Sequence, residues 1–250
     1  PPRSTLFPYT TLFRSLYKIR ISNVRKEEEV KNQLKQRIAE IEMSSLRAQK
    51  NPHFIFNCLN SINRFILVND TDAASEYLTK FSRLIRMILD GSRENFITLD
   101  KEIAALKLYI EMESMRFQDS FNWKIVIEPE VHPEDLLLPP LMLQPYVENA
   151  IWHGLMQASN ESVKQLKIHI SKFREDTKIE ISDNGIGRYK AKLLKSKTGD
   201  KHKSYGISLT EERLKLMGKL QGTKSFVTIE DLYNENQISC GTKVTIILNQ

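Results

Sequence analysis

From Val24 to Ile66, small or apolar residues recur at Leu34, Ile38, Ile41, Ser45, Ala48, Pro52, Ile55, Leu59, Ile62 and Ile66. Steps of three and four alternate, which is the roughly 3.5-residue period of a coiled-coil seam, so the pattern predicts one long helix. The run Asn69-Asp70-Thr71-Asp72 breaks it, with Thr71 or Asp72 as the expected N-cap of a second helix. Tyr77, Phe81, Leu84 and Ile88 repeat the spacing up to Gly91, the expected stop. Two antiparallel helices with matching seams form a hairpin that still exposes an apolar face. Pairing of two hairpins into a four-helix bundle would bury it, which predicts a homodimer.

A third helix is predicted from about Leu99 to Arg116, with Asp100 or Thr98 near its cap. Beyond it the periodicity changes. Trp123 to Ile127, Leu166 to Phe173, Lys178 to Ser182, Ser225 to Ile229 and Lys243 to Leu248 alternate as strands. Pro139-Pro140 is read as opening a helix that runs through about His153, and Gly206 to Met217 as another, stopped by Gly218. Helices mixed with mostly antiparallel strands imply an α+β chain, in which a helical hairpin precedes an α/β sandwich of one sheet covered by helices. The boundary is expected near 92–98 or 117–122.

Composition narrows the class. Of 250 residues, 40% are hydrophobic and 27% charged, as in a globular protein rather than a disordered one. The 37 basic and 31 acidic residues leave a formal charge of +6, unevenly spread, with basic residues gathered in one loop without interleaved aromatics. That pattern argues against direct nucleic-acid binding. Cys58 and Cys240 have no metal-ligand spacing and point to a reducing compartment. No apolar run approaches the roughly 20 residues of a membrane-spanning helix. The chain opens without Met, and residues 1–15 carry a near-duplicate, Thr5-Leu6-Phe7 and Thr11-Leu12-Phe13. They are expected to be a non-native or disordered segment.

Three segments carry candidate chemistry. Asn51-Pro52-His53-Phe54-Ile55-Phe56-Asn57 puts a proline inside the long helix, at a cost of about 3 kcal/mol. His53 is expected to point to the flank of the bundle, with Asn57 four residues on and on the same face. A neutral imidazole has one unprotonated nitrogen and suits phosphoryl acceptance; the competing reading is an ordinary surface histidine. Leu141 to Gly154 places Glu148, Asn149 and His153 at one end of an apolar helix. Asn149 is a poor helix former whose side-chain oxygen can hold Mg²⁺, and His153 is expected to share its face. Lys178 to Gly187 delivers Asp183 into a glycine-rich turn, where a carboxylate can accept from an exocyclic amine and Gly185 and Gly187 allow close approach. An Asn-Gly hairpin competes. The basic stretch from Arg188 to Lys203 reads as a mobile lid over a polyphosphate, and Gly206 opens a helix in an anion-facing position. Neither GxxxxGK[ST] nor a strand-linked GxGxxG occurs.

Together these segments resemble the LytS/YehU-type sensor histidine kinases from about Leu46 onward. Asn51 to Asn57 is similar to the phosphoacceptor box, and Gln144 to Ala150 with His153-Gly154 to the N box. Asp183 to Gly187 and Tyr205 to Leu209 resemble the two glycine boxes. The resemblance implies a Bergerat-type ATP-binding (GHKL) domain, ATP with Mg²⁺, and phosphoryl transfer to histidine and then to an aspartate of a response regulator, often of LytTR type. It implies catalytic roles for His53, Asn57 and Glu148. Asn149, His153, Asp183, Gly185, Gly187 and Gly206 would bind the nucleotide, with Asn149 on the metal. Two departures stand out: Phe54 follows His53, where many kinases have an acid, leaving Glu148 or water as base, and Ser208 replaces a common glycine.

The expected organisation is a stalk over 16–45, a dimerisation and phosphoacceptor region over 46–118 and a catalytic domain over 119–250. The whole is read as the cytoplasmic portion of an inner-membrane sensor whose membrane segments lie upstream. The alternatives are a GHKL-type ATPase without phosphohistidine and a degenerate kinase serving as a dimeric interaction module.

Overall fold

A computed structural model describes residues 14, 17–26, 52–159, 163–198, 210, 212–214 and 225–248; the side chains of Pro52, His53 and residues 195–198 are outside that description. The chain divides into two compact units, Pro1–Ser44 and Ser45–Gln250. In the first, residues 17–26 are helical (α1), within the predicted stalk. The remainder of the predicted long helix up to Pro52 lies outside the described residues.

In the second unit, α2 (Pro52–Leu67) and α3 (Thr71–Gly91) form the predicted hairpin, and α4 (Leu99–Arg116) packs on α3. Asn69 turns the chain with φ +60, and the α3 cap is Asp70, one residue earlier than expected, whose carboxylate accepts from Ala73 N at 3.1 Å. Tyr77 and Leu84 are fully buried as their spacing foretold. The face of α2 differs from expectation. Ile55, Leu59 and Ile66 of the predicted seam are exposed, while Cys58, Ser61 and Phe65 are buried. Aromatic packing decides the rotation: Phe54 meets Phe81 and Tyr109, and Phe65 meets Tyr77.

Strands β1 (Ile97–Thr98) and β3 (Leu137–Leu138) pair as a short antiparallel ladder before and after α4. The main sheet has the order β2-β4-β5-β7-β6, from β2 (Asn122–Ile127), β4 (Gln165–Phe173), β5 (Asp176–Asp183), β6 (Phe226–Tyr233) and β7 (Ser239–Leu248). Only β2 and β4 run parallel; the other neighbours are antiparallel. Alternation buries Leu166, Ile168, Ile170, Ile179, Ile181, Val244 and Ile246 in one core with Tyr109, Tyr146 and Ile151. The opposite face carries Glu180 ion-paired with Lys178 and Lys243, with His169 Nδ1 3.6 Å from the same carboxylate.

Two predicted elements are corrected. Pro139-Pro140 does not open a helix: α5 spans Gln144–Asn149, followed by a π turn (Ala150–Gly154) and a 3-10 turn (Leu155–Gln157). Residues 139–143 are held open by the buried carboxylate of Glu102, which accepts from Leu141 N and Leu143 N, both at 2.8 Å, with Leu141 at φ +58. The start of the presumed lid is helical, as α6 (Gly187–Thr198). Of the predicted helix over Gly206 to Met217, residue 210 and residues 212–214 are described and are helical.

Candidate functional site

Asp183 ends β5 and is buried, at 5% exposure. Its Oδ1 accepts from Gly185 N at 2.8 Å, and the Thr242 backbone N–H also donates to the carboxylate. Burial outweighs these bonds and raises its pKa from 3.8 to about 6, with the charge of Asp231 adding to the rise. The turn after it is no type I′ hairpin, because β5 pairs with β4 and β7 and the chain continues into α6. Asn184 fixes the turn instead, its Oδ1 accepting from Gln165 N and its Nδ2 donating to Val163 O.

Glycines let three segments crowd this carboxylate. A Cβ on Gly154 would lie 2.7 Å from Asp183 Oδ1, and one on Gly185 would lie 2.2 Å from the carbonyl carbon of Gly154. Ile186 N donates to Gly154 O at 3.3 Å and closes the contact. Gly187 starts α6 with φ +73, a conformation only glycine adopts without strain, and Arg188 then anchors that helix to Asp231.

The other half of the site comes from α5. Pro145 suits the first turn of that helix because its missing N–H costs nothing there. Asn149, the last residue of α5, donates its amide N–H to Pro145 O, which leaves Oδ1 as an acceptor. A hard, neutral oxygen is the kind of ligand Mg²⁺ takes beside phosphate oxygens and water, so the residue fits the metal that the resemblance implies. The ionised carboxylate of Asp183 is an acceptor of the kind an exocyclic amine requires.

Five predicted residues therefore gather around the π turn, which contacts α5, β5 and α6: Asn149 ends α5, His153 lies in the π turn, Asp183 ends β5, Gly185 follows it, and Gly187 starts α6. Glu148 sits on α5, and burial raises its pKa. Its charge acts on Glu113 and Tyr109 of α4. His53 and Asn57 lie in α2, which packs on α3, and Asn57 is half-buried with its carbonyl accepting from Ser61 Oγ at 2.9 Å. The predicted direction of the His53 ring lies outside the described side chains, and Gly206 outside the described residues.

Sequence reasoning missed Glu102, Glu113 and Gly241. Glu102 follows Asp100 and Lys101 in sequence and reads as one more polar residue of a helix start, while Glu113, between Met112 and Met115, had only its apolar neighbours as a signal; the burial of both is seen in the structure alone. Gly241 has φ +147, and a Cβ there would sit 2.0 Å from Asp183 O.

Residues 41–121 match the family model described as Histidine kinase. The "Sensor protein LytS" of Staphylococcus saprophyticus is 33% identical over 204 residues, which is 81% of this chain and 34% of that protein. The "Sensor histidine kinase/phosphatase LytS" of Staphylococcus aureus (strain Mu50) is 33% identical over 183 residues, 72% of this chain and 31% of its own. The chain thus spans about a third of the length of these relatives. A solved catalytic domain of histidine kinase ThkA is 15% identical, covering 62% of this chain and 93% of that one with a TM-score of 0.39. At that score the superposition adds nothing to the sheet topology above.

Proposed function

Because this chain belongs to the sensor histidine kinase family that includes the LytS proteins, we propose that it transfers the γ-phosphoryl group of ATP to its own His53. The phosphoryl group then passes to an aspartate of a response regulator, of LytTR type. One observation supports the reading above the rest: the buried Asp183 carboxylate abuts Gly154, at the end of the turn that follows Asn149.

In this reading Asp183 accepts a hydrogen bond from the exocyclic amine of adenine, and Gly185, Gly187 and Gly206 shape the backbone beside the nucleotide. Asn149 holds Mg²⁺ through Oδ1, with His153 as a polar neighbour. When bound, the ion neutralises charge on the phosphate oxygens. The unprotonated nitrogen of His53 attacks in line, and Asn57, one helical turn on, orients the ring. An N–P bond forms as the bond between the γ-phosphorus and the bridging oxygen breaks, and ADP leaves with that electron pair. Glu148, which burial makes more basic, is the carboxylate assigned to the acid–base role. The exposed Ile55, Leu59 and Ile66 supply the face on which two copies pair. The chain works as the cytoplasmic portion of an inner-membrane sensor, without direct nucleic-acid contact.

The test is incubation with γ-labelled ATP and Mg²⁺. Acid-labile, alkali-stable label on the wild type, absent from His53→Gln, is the expected result. ATP hydrolysis without protein label would make the chain a GHKL-type ATPase instead, and neither binding nor label would make it a degenerate module.

A further inference from the structure

Glu113 of α4 is 1% exposed, and its Oε2 has no hydrogen-bond partner among the described residues. Among the described residues its cationic partner is Nη1 of Arg116, at 3.7 Å, too far for a full hydrogen bond. A carboxylate buried with such incomplete pairing lowers stability relative to an uncharged residue of the same shape. Its neighbours suggest what it is kept for. The indole N–H of Trp152 donates to Glu113, beside the buried Tyr109. The Arg116 guanidinium lies 4.3 Å from the centre of the Trp152 ring, and Phe117 meets that ring edge-on at 5.3 Å. All three contacts come from the last turn of α4 and its cap.

Trp152 stands inside the π turn, between Asn149 and Gly154. A π turn inserts an extra residue into a helix and survives only where surrounding packing holds it. On its other side the same last turn of α4 reaches α2: Arg64 Nη2 donates to the Arg116 carbonyl at 3.1 Å. Glu113 and Arg116 therefore sit where the helix bearing His53 meets the turn that follows Asn149.

We propose that Glu113 and Arg116 are positioning residues for the metal-binding end of the nucleotide site, clamping Trp152 so that the π turn holds Asn149 in place and is tied to α2. This rests on the nucleotide reading of Asn149 and Asp183. The pair touches neither nucleotide nor metal in that scheme; it acts through Trp152.

The chain has two tryptophans, so Trp123→Phe leaves Trp152 as the lone reporter. In that background, a non-hydrolysable ATP analogue is titrated with Mg²⁺ and again with EDTA, following Trp152 emission and affinity by calorimetry. With Mg²⁺ the emission should change on binding. Glu113→Gln and Arg116→Gln should each weaken Mg²⁺-dependent affinity about tenfold, the size typical of residues that support a metal ligand from behind. Metal-free binding should stay within about twofold, because Asp183 is untouched. Arg116→Lys keeps the cation over the ring and should restore most of the loss, and the double Gln variant should lose less than the product of the singles. Wild-type affinity in both Gln variants overturns the inference alone, and so does equal loss with and without Mg²⁺, which marks general damage to the fold. Absence of nucleotide binding in the wild type overturns both this inference and the reading beneath it.

Discussion

At Asp183, Gly154 and Gly241 press against the residue while two backbone N–H groups donate to its carboxylate, and burial still lifts its pKa to about 6. In the proposed site an amine donor on the ligand is held more strongly by the ionised form. Nucleotide affinity should therefore be full above pH 7 and fall as pH drops through 6, by up to tenfold per unit. Stability of the nucleotide-free protein runs the other way. The folded pKa is raised above the ordinary 3.8, so the protonated group favours the folded state below that value, and the gain is lost as pH rises through about 6. Asp183→Asn should remove both dependences and weaken binding at least tenfold, because an amide presents a donor where an acceptor is required. Calorimetric titrations and thermal melts from pH 5 to 8 on both proteins measure this.

At the scale of elements, the entry to α5 depends on a carboxylate from α4. Glu102 accepts from two backbone N–H groups across 39 and 41 residues of sequence and so stabilises Leu141 in its left-handed conformation. Arg213 adds to the junction by donating to Pro140 O at 3.0 Å. Removing the carboxylate leaves buried donors without acceptors. Glu102→Ala should destabilise the protein by about 2–4 kcal/mol, read from the denaturation midpoint at constant m-value. Glu102→Gln keeps one acceptor oxygen and should lose roughly half as much. An Ala variant as stable as the wild type would mean that the loop has another support.

At the scale of the molecule, Ile55, Leu59 and Ile66 form an exposed apolar stripe among the described residues. Its apolar period matches the seam from which a second copy is expected. Leu59→Lys places a charge at its centre without touching the inward face of Phe54, Cys58 and Phe65. The expected outcome is at least a tenfold rise in the dimer dissociation constant by analytical ultracentrifugation, with unchanged helicity by circular dichroism. An unaltered dimer would move the interface elsewhere. In the proposed reaction, transfer within a copy and between copies would be resolved by mixing His53→Gln with Asp183→Asn chains at ATP well below the Kd of the Asp183→Asn chain, where label beyond that of Asp183→Asn alone comes from transfer between copies.

What the sequence by itself determined are features written within one or two turns of chain. The ends of α4, the seam of α3, the strand alternation and the order of the boxes could be read because caps, periods and short motifs involve residues close together. The α+β class and the family followed from them. Tertiary structure alone decided which face of α2 turns inward, since Tyr77, Phe81 and Tyr109 select it from other helices. It also decided that Pro139-Pro140 leads into an open loop rather than a helix, because Glu102 satisfies that backbone from far away in sequence. The approach of Gly154 to Gly185 belongs to the same class: each glycine was visible, but a contact between two backbones exists only once the sheet has formed.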